Sequence, residues 1–183
     1  FRGMSQEQIT ETKKKVFLGI NEAAYYLSVH PESKQADSCR AVYAYLLFLN
    51  NRIYLTAMRK GWEEQQGEKP SAALRLQWKE QYFDKIFSLL EKVLTNKDLP
   101  EWLRKTAMRV HAEALALMQK DSEAVTAYQA YIKAWPAAEN VKSCAIQLNI
   151  ANSCLKTGDA AAIKEAKAML KQCIKENPES ENV

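Results

Sequence analysis

The segment LNIANSCLKTGD, residues 148–159, shows most clearly how the chain folds. Most of its residues favour a helix, and Gly158-Asp159 is typical of the turn after a helix, because glycine readily adopts the left-handed conformation. A second helical stretch begins at Ala160 and ends before Pro178, since proline pushes the preceding residue out of the helical region. The segment therefore predicts two helices joined by a tight turn.

The composition of the whole chain also favours helices. A chain of 183 residues fits one domain or a short repeat array, and it is long enough to bury a core. Strong helix formers dominate, and the 5 glycines and 5 prolines are too few for a loop-rich fold. No short alternating runs of β-branched residues indicate strands. We therefore predict an all-α protein of the kind typical of soluble globular domains.

Hydrophobic periodicity and capping signals predict seven helices. Ser5 and Gln8 form a capping-box pattern before the first helix. The second helix is apolar on nearly every side between Ala41 and Leu49, which predicts a central position. The polar segment 63–69 is predicted to be a mobile loop. The approximate helix bounds are 5–28, 31–62, 71–95, 101–119, 122–134, 139–156 and 160–176.

Two tandem units in the second half of the chain resemble the tetratricopeptide repeat, a pair of antiparallel helices with small residues where the helices cross. In the first unit the matching residues are His111-Ala112, Leu115, Ala124, Tyr128 and Pro136. In the second unit they are Ile150-Ala151, Cys154, Ala166, Leu170, Cys173 and Pro178. Gln119-Lys120 replaces the family's Gly-Asp turn in the first unit, which is a departure from the pattern.

This resemblance implies a right-handed superhelix of about seven antiparallel helices. It divides the chain into a long-helix part at residues 4–100, the repeats at 101–178 and a tail at 179–183. The first part is either a set of diverged repeats or a helical cap. The last helix has a single apolar stripe through Ala166, Leu170 and Ile174, which suits the final position in a stack.

The sequence contains no arrangement of residues typical of an enzyme. It has 2 histidines and no glycine-rich phosphate loop, so we predict no catalytic residues and no cofactor. The 4 cysteines lack metal-ligand spacing, and we predict buried reduced thiols and no metal site. A disulfide remains the alternative interpretation if the protein is exported. No apolar run reaches membrane length, and we predict a cytoplasmic protein.

The resemblance also implies a binding site, because the first helices of successive repeats line a concave groove that holds peptides. Some family members grip a terminal carboxylate there, and Arg109 and Asn149 resemble two of the gripping positions. Glu113 stands where an asparagine is expected, which argues against a complete grip. Asn152 and Lys156 continue the same helix face. The alternative interpretation is an exposed polar face without a ligand.

The four tryptophans are expected to pack in the core, with one exception. Trp62 lies next to Gly61 at the edge of the predicted loop, and it is a candidate for an exposed partner anchor.

We therefore expect a non-enzymatic adaptor, chaperone or assembly subunit that binds a peptide or a partner helix, in a groove lined by the fourth and sixth helices or by the second. The alternatives are a helical accessory domain of a larger enzyme or secretion component, and an RNA-binding helical repeat. A net charge of +4 without a clear basic cluster disfavours nucleic acid. Formation of a homo-oligomer remains an alternative to a monomer.

Overall fold

The computed structural model describes residues 5–138, 141 and 144–176, and within them the chain is all-α. The helices are α1 (Gln6–Val29), α2 (Ala36–Gln66), α3 (Ala72–Thr95), α4 (Glu101–Leu117), α5 (Asp121–Ala134), α6 (Ala145–Thr157) and α7 (Ala160–Glu176). No strand occurs among these residues, which confirms the predicted fold class. The predicted start of the sixth helix at Glu139, the stop at Pro178 and the tail 179–183 lie outside the described residues.

The chain divides into two compact units, Phe1–Ala107 and Met108–Val183. The division falls inside α4, whereas the sequence suggested a boundary after Pro100. The right-handed superhelix stays a prediction. Among the described helices, none is long and apolar enough to cross a membrane.

In the first unit α2 packs against both α1 and α3, which confirms its predicted central position. Ala41, Ala44 and Leu47 are buried on α2. Phe83 and Ile86 are fully buried on α3. The hydroxyl of Tyr82 on α3 donates a hydrogen bond to the backbone carbonyl of Leu47, so the two helices are joined by a polar contact as well as by apolar packing.

A polar cluster at the start of α2 holds the α1–α2 connection and the end of α3. Asp37 accepts hydrogen bonds from Arg40 Nη1 at 2.5 Å and from Asn96 Nδ2 at 2.7 Å. Arg40 also donates to the carbonyl of Pro31. Burial opposes ionisation of Asp37, but the hydrogen bonds from Asn96 and Arg40, with the charges of Arg40 and Lys92, hold its pKa below the ordinary value. The carboxylate of Asp37 therefore stays ionised at neutral pH, and its role is to hold these segments together through the hydrogen bonds that it accepts.

The N-terminal caps follow the sequence pattern. Ser5 and Gln8 form the reciprocal capping box at distances of 2.8 and 3.2 Å. Ser71 accepts a hydrogen bond from the backbone N–H of Leu74 at 3.1 Å and caps α3 in the same way. These side chains satisfy backbone donors that the first turn of a helix leaves without partners.

The end of α2 differs from the prediction. The helix continues through Gly61 to Gln66, and it ends where Gly67 adopts a φ of 71°. Most of the predicted mobile loop at 63–69 is therefore helix. The polar composition of 63–69 suggested a loop, but polar residues such as Glu and Gln are good helix formers, and the helix ends only at Gly67.

In the second unit α6 packs between α5 and α7. Ala112, Ala124, Ala151 and Ala166 are all buried, as the repeat pattern predicts for small residues that let helices approach closely. Tyr128, Tyr131, Ile146 and Ile150 supply most of the buried volume. On α7 Cys173 is also buried, but Ile174 is 44% exposed, so its predicted place in the buried stripe is wrong.

The two turns that follow α4 and α6 use the same left-handed conformation with different residues. Gly158 has a φ of 71°, and Gln119 has a φ of 61° at the corresponding place in the first repeat. The apparent departure at Gln119 is therefore a change of residue and not of backbone. A side chain in this region costs about 1 kcal/mol, because its Cβ lies too close to the following carbonyl oxygen.

The cysteines do not all remain reduced, and the sequence prediction is wrong for two of them. Cys144 and Cys173 form a disulfide with a Cα–Cα distance of 5.9 Å, and this bond joins the start of α6 to α7. Cys144 has a φ of 62°, so α6 begins after it, and the predicted continuous helix 139–156 is interrupted there. Cys39 and Cys154 are free thiols, and Cys154 is buried as predicted.

We predict that the disulfide contributes strongly to the stability of the second unit. It closes a loop with a sequence separation of 29 residues. Reduction, or the double substitution Cys144→Ala with Cys173→Ala, should lower the free energy of unfolding by about 3–4 kcal/mol, because the unfolded chain regains the entropy of that loop. Urea denaturation of the oxidised and reduced protein measures the difference. Cys39→Ser is the control and should leave the free energy of unfolding of the oxidised protein unchanged. Equal free energies of unfolding for the oxidised and reduced protein would contradict the prediction.

We also predict opposite effects of glycine and alanine substitutions at the two turns. Gln119→Gly should raise the free energy of unfolding by about 0.5–1 kcal/mol, because it removes strain at positive φ. Gly158→Ala should lower it by about 1 kcal/mol, although a Cβ there meets no atom within 4 Å.

Gly61→Ala is the matched control, because its Cβ also meets nothing within 4 Å but the residue lies inside α2. It should raise stability by about 0.5–1 kcal/mol. Calorimetry of the three variants shows whether each substitution raises or lowers the free energy of unfolding. An increase for Gly158→Ala would contradict the role given to positive φ.

Candidate functional site

Two of the candidate residues form an ion pair on α4. Arg109 Nη1 lies 2.9 Å from Glu113 Oε1, and the residues are one helical turn apart. Their side chains are 30% and 21% exposed, so the pair is partly shielded from water but reachable from outside. Because each charge offsets the other, the pair presents fixed hydrogen-bonding groups with little net charge.

The hydroxyl of Tyr128 connects this pair to α6. Tyr128 lies on α5 and is 1% exposed, so its hydroxyl needs a hydrogen-bond partner inside the protein. Asn149 on α6 supplies that partner. Burial, followed by the negative charge of Glu113, raises the pKa of Tyr128, while Asn149 and the charge of Arg109 act in the opposite direction. The neutral hydroxyl is thus hydrogen-bonded to Asn149, and it lies within the electrostatic influence of Arg109 and Glu113.

The remaining two candidates on α6 lie on the same side of the helix as Asn149, three and seven residues further along. Asn152 is exposed. Lys156 Nζ lies 3.7 Å from Asp121 Oδ1 at the start of α5, and the lysine side chain is 54% exposed. Asp121 is only 11% exposed and the separation is too long for a hydrogen bond, so Lys156 offsets the charge of a shielded carboxylate while its own ammonium group stays in water.

We define the α4–α6 polar face as Arg109, Glu113, Asn149, Asn152 and Lys156. The structure thus places five of the six sequence candidates in the same unit, and three of them influence the pKa of Tyr128. Both cations of the face, Arg109 and Lys156, lie near an acidic side chain, which disfavours the binding of a terminal carboxylate. The two asparagine amides can each donate and accept hydrogen bonds, so the face can bind the N–H and C=O groups of a peptide backbone.

Trp62 does not belong with the other candidates. It lies inside α2, in the Phe1–Ala107 unit, and its indole ring contacts Trp78 edge-on at a centroid distance of 6.0 Å. The ring is half-buried, and its Nε1 is buried without a hydrogen-bond partner among the described residues. Trp62 is therefore less exposed than the sequence suggested, because its ring packs on Trp78, and its role as a partner anchor stays a prediction.

Trp102 is the exposed tryptophan that the sequence prediction missed. It is 63% exposed at the start of α4, whereas the neighbouring Leu103 is buried. Leu103 and Ala107 are one turn apart and buried, so the periodicity of α4 could have placed Trp102 outside the apolar stripe.

His111 lies half-buried on α4 at the repeat position where the sequence predicts a packing histidine. Burial lowers its pKa, and the charge of Glu123 on α5 acts in the opposite direction. At neutral pH the neutral form is favoured, so His111 is expected to be a neutral packing residue.

Within the part of the chain that the structure describes, no group of three or more His, Cys, Asp or Glu side chains is arranged to hold a metal ion. The polar face likewise lacks a nucleophile beside a general base.

Comparison with protein-family models, with characterised proteins and with solved structures finds no match for this chain. The assignment to the tetratricopeptide family therefore stays a prediction from the sequence.

We predict that stability falls on mild acidification because of His111. The unfolded histidine has a pKa of about 6.5 and the folded one a lower value, so the unfolded state binds more protons between these two pKa values. The free energy of unfolding should therefore decrease as pH falls through about 6.5, and His111→Gln should weaken this dependence. Urea denaturation across this pH range measures the slope.

The reverse effect is expected from Glu123→Gln, since the carboxylate raises the pKa of His111. Its removal should make the decrease steeper or extend it to lower pH. A decrease of equal size in the wild type and in His111→Gln would show that another group is responsible.

Proposed function

We propose that this protein is a non-enzymatic binding module that holds a peptide or a partner helix on the α4–α6 polar face, as an adaptor, chaperone or assembly subunit. The observation that carries the proposal is the partly buried ion pair of Arg109 with Glu113 on α4, whose charges act on Tyr128, the residue to which Asn149 of α6 is hydrogen-bonded. Polar side chains held by such contacts lose little conformational entropy when a ligand binds, which favours affinity.

The chemistry of the face supports a peptide over an anionic ligand. Arg109 is paired with Glu113 at 2.9 Å, and Lys156 lies near Asp121. A nucleic acid would instead require unpaired cations that follow its phosphates. The amides of Asn149 and Asn152 match the donors and acceptors of an extended peptide backbone.

The Cys144–Cys173 disulfide supports action in an oxidising compartment, because disulfides are rare in the reducing cytosol. This proposal replaces the cytoplasmic location expected from the sequence. Alkylation of all four cysteines in intact source cells would argue against it.

We predict that Arg109→Glu combined with Asn149→Ala weakens peptide binding about tenfold or more, because the change reverses one charge and removes one amide. Peptides selected from a displayed random library against the wild-type protein serve as ligands, and calorimetric titration measures their affinities. Loss of Asn149 as the partner of the Tyr128 hydroxyl should lower the free energy of unfolding by about 1–3 kcal/mol, so circular dichroism at the titration temperature checks that the variant is folded.

The matched control is Lys133→Glu combined with Gln129→Ala, which makes the same change of charge at two exposed positions of α5. The control should retain wild-type affinity. Equal affinities for the wild type and the Arg109→Glu/Asn149→Ala variant would remove the α4–α6 polar face as the binding site.

A further inference from the structure

A small concave site lies in the Phe1–Ala107 unit, between the second half of α2 and the first turns of α3. It has a volume of about 270 Å³. Trp78, which is 9% exposed, and Leu55 supply its apolar wall, and the hydroxyl of Thr56 is a neutral polar group in the lining. We call this site the α2–α3 pocket.

The charged residues that line the α2–α3 pocket are all cations. Arg59 comes from α2, whereas Arg75 and Lys79 come from α3. Arg75 and Lys79 are one helical turn apart, so their side chains leave the same face of α3. No acidic residue is found in the lining within the described part of the chain. A cleft lined by charges of one sign concentrates ions of the opposite sign, so this pocket attracts anions.

Acidic side chains neutralise these cations only in part. Glu63 Oε1 lies 3.8 Å from Arg59 Nε, which is too long for a hydrogen bond, and the Arg59 side chain is 53% exposed. Arg75 and Lys79 form no side-chain hydrogen bond or ion pair with a described residue. Like charges one turn apart destabilise a helix, and an anion bound between them would relieve that repulsion.

We propose that the α2–α3 pocket binds a phosphate monoester that is attached to an apolar group. Such a phosphate carries a charge of about −1.5 to −2 at pH 7, so it balances three cations, one of them shared with Glu63, better than a carboxylate does. The guanidinium groups of Arg59 and Arg75 can each donate two parallel hydrogen bonds to phosphate oxygens, and the ammonium of Lys79 adds a point charge. The apolar group then packs against the apolar wall of the pocket.

The volume of the pocket limits how much of a ligand can enter. Sites that enclose a whole small molecule measure about 300–1,000 Å³, and this one is slightly smaller. It therefore holds the phosphate and the group next to it, while the rest of a larger ligand stays outside. The pocket lies in the Phe1–Ala107 unit, whereas the α4–α6 polar face belongs to the other unit, so this proposal does not rest on peptide binding there.

The test is an NMR titration of the oxidised, full-length protein with phenyl phosphate. Saturable shifts are expected for the indole N–H of Trp78 and for backbone amides in the first turns of α3. Phenyl sulfate has nearly the same shape but a single negative charge, and it should bind about fivefold or more weakly. Inorganic phosphate lacks the apolar group and should also bind about fivefold or more weakly.

The phosphate monoester comes either from a small metabolite or from a phosphorylated side chain of a protein. Titration with N-acetyl-phosphotyrosine-N-methylamide distinguishes these two sources. An affinity about fivefold or more higher than that of phenyl phosphate assigns the ligand to a protein, whereas equal affinities assign it to a small metabolite.

Substitutions of single charges test the named residues. Arg75→Gln and Lys79→Gln should each weaken binding of phenyl phosphate about fivefold or more, and neither should lower the melting temperature, because each removes a repulsion on α3. Glu63→Gln should strengthen binding about twofold or more, because it removes the acid beside Arg59. Lys60→Gln is the matched control, since Lys60 is exposed on α2 outside the lining, and it should bind like the wild type.

Three results would overturn the proposal. The first is equal binding of phenyl phosphate and phenyl sulfate, and the second is wild-type binding by both Arg75→Gln and Lys79→Gln. The third is an equal loss of binding in Lys60→Gln, which would show attraction to the basic protein as a whole instead of to this pocket. None of these measurements uses the peptides selected for the α4–α6 polar face, so the two proposals can fail independently.

Discussion

The hydroxyl group of Tyr128 imposes the constraint on which the candidate site depends. The ring is buried between helices, and a buried hydroxyl without a hydrogen bond would destabilise the unit. Asn149 satisfies it from α6, and the charges of the Arg109–Glu113 pair on α4 act on it. The hydrogen bond of Tyr128 with Asn149 thereby adds a polar contact between α5 and α6.

The disulfide plays the corresponding part on the other side of α6. It joins Cys144, the residue before α6, to Cys173 on α7. Loss of the bond is therefore expected to lower the stability of the unit.

The two units use different kinds of packing. In Phe1–Ala107 the helices are long, and large side chains such as Phe83, Ile86 and Leu90 fill the space between them. In Met108–Val183 the buried side chains include several alanines together with Tyr128 and Tyr131. The α4–α6 polar face lies in this second unit.

Local signals in the sequence determined the helices of this protein. Ser5 and Ser71 start helices because their hydroxyls accept backbone N–H groups a few residues away, and Gly158 ends one because it tolerates positive φ. The buried alanines stand at positions that the resemblance to the tetratricopeptide repeat implied. The five residues of the α4–α6 polar face could be proposed because they share helix faces, although what they bind was not tested.

Only the tertiary structure decided which distant residues meet. Three contacts join residues from different parts of the chain: the Cys144–Cys173 bond, the hydrogen bond of Tyr128 with Asn149, and the packing of Trp62 on Trp78. The buried oxygen of Gln147, in contrast, has no hydrogen-bond partner among the described residues. Helical periodicity specifies the direction of a side chain around its own axis, but it carries no distance between one helix and the next. That distance is set by the packing of complete helices.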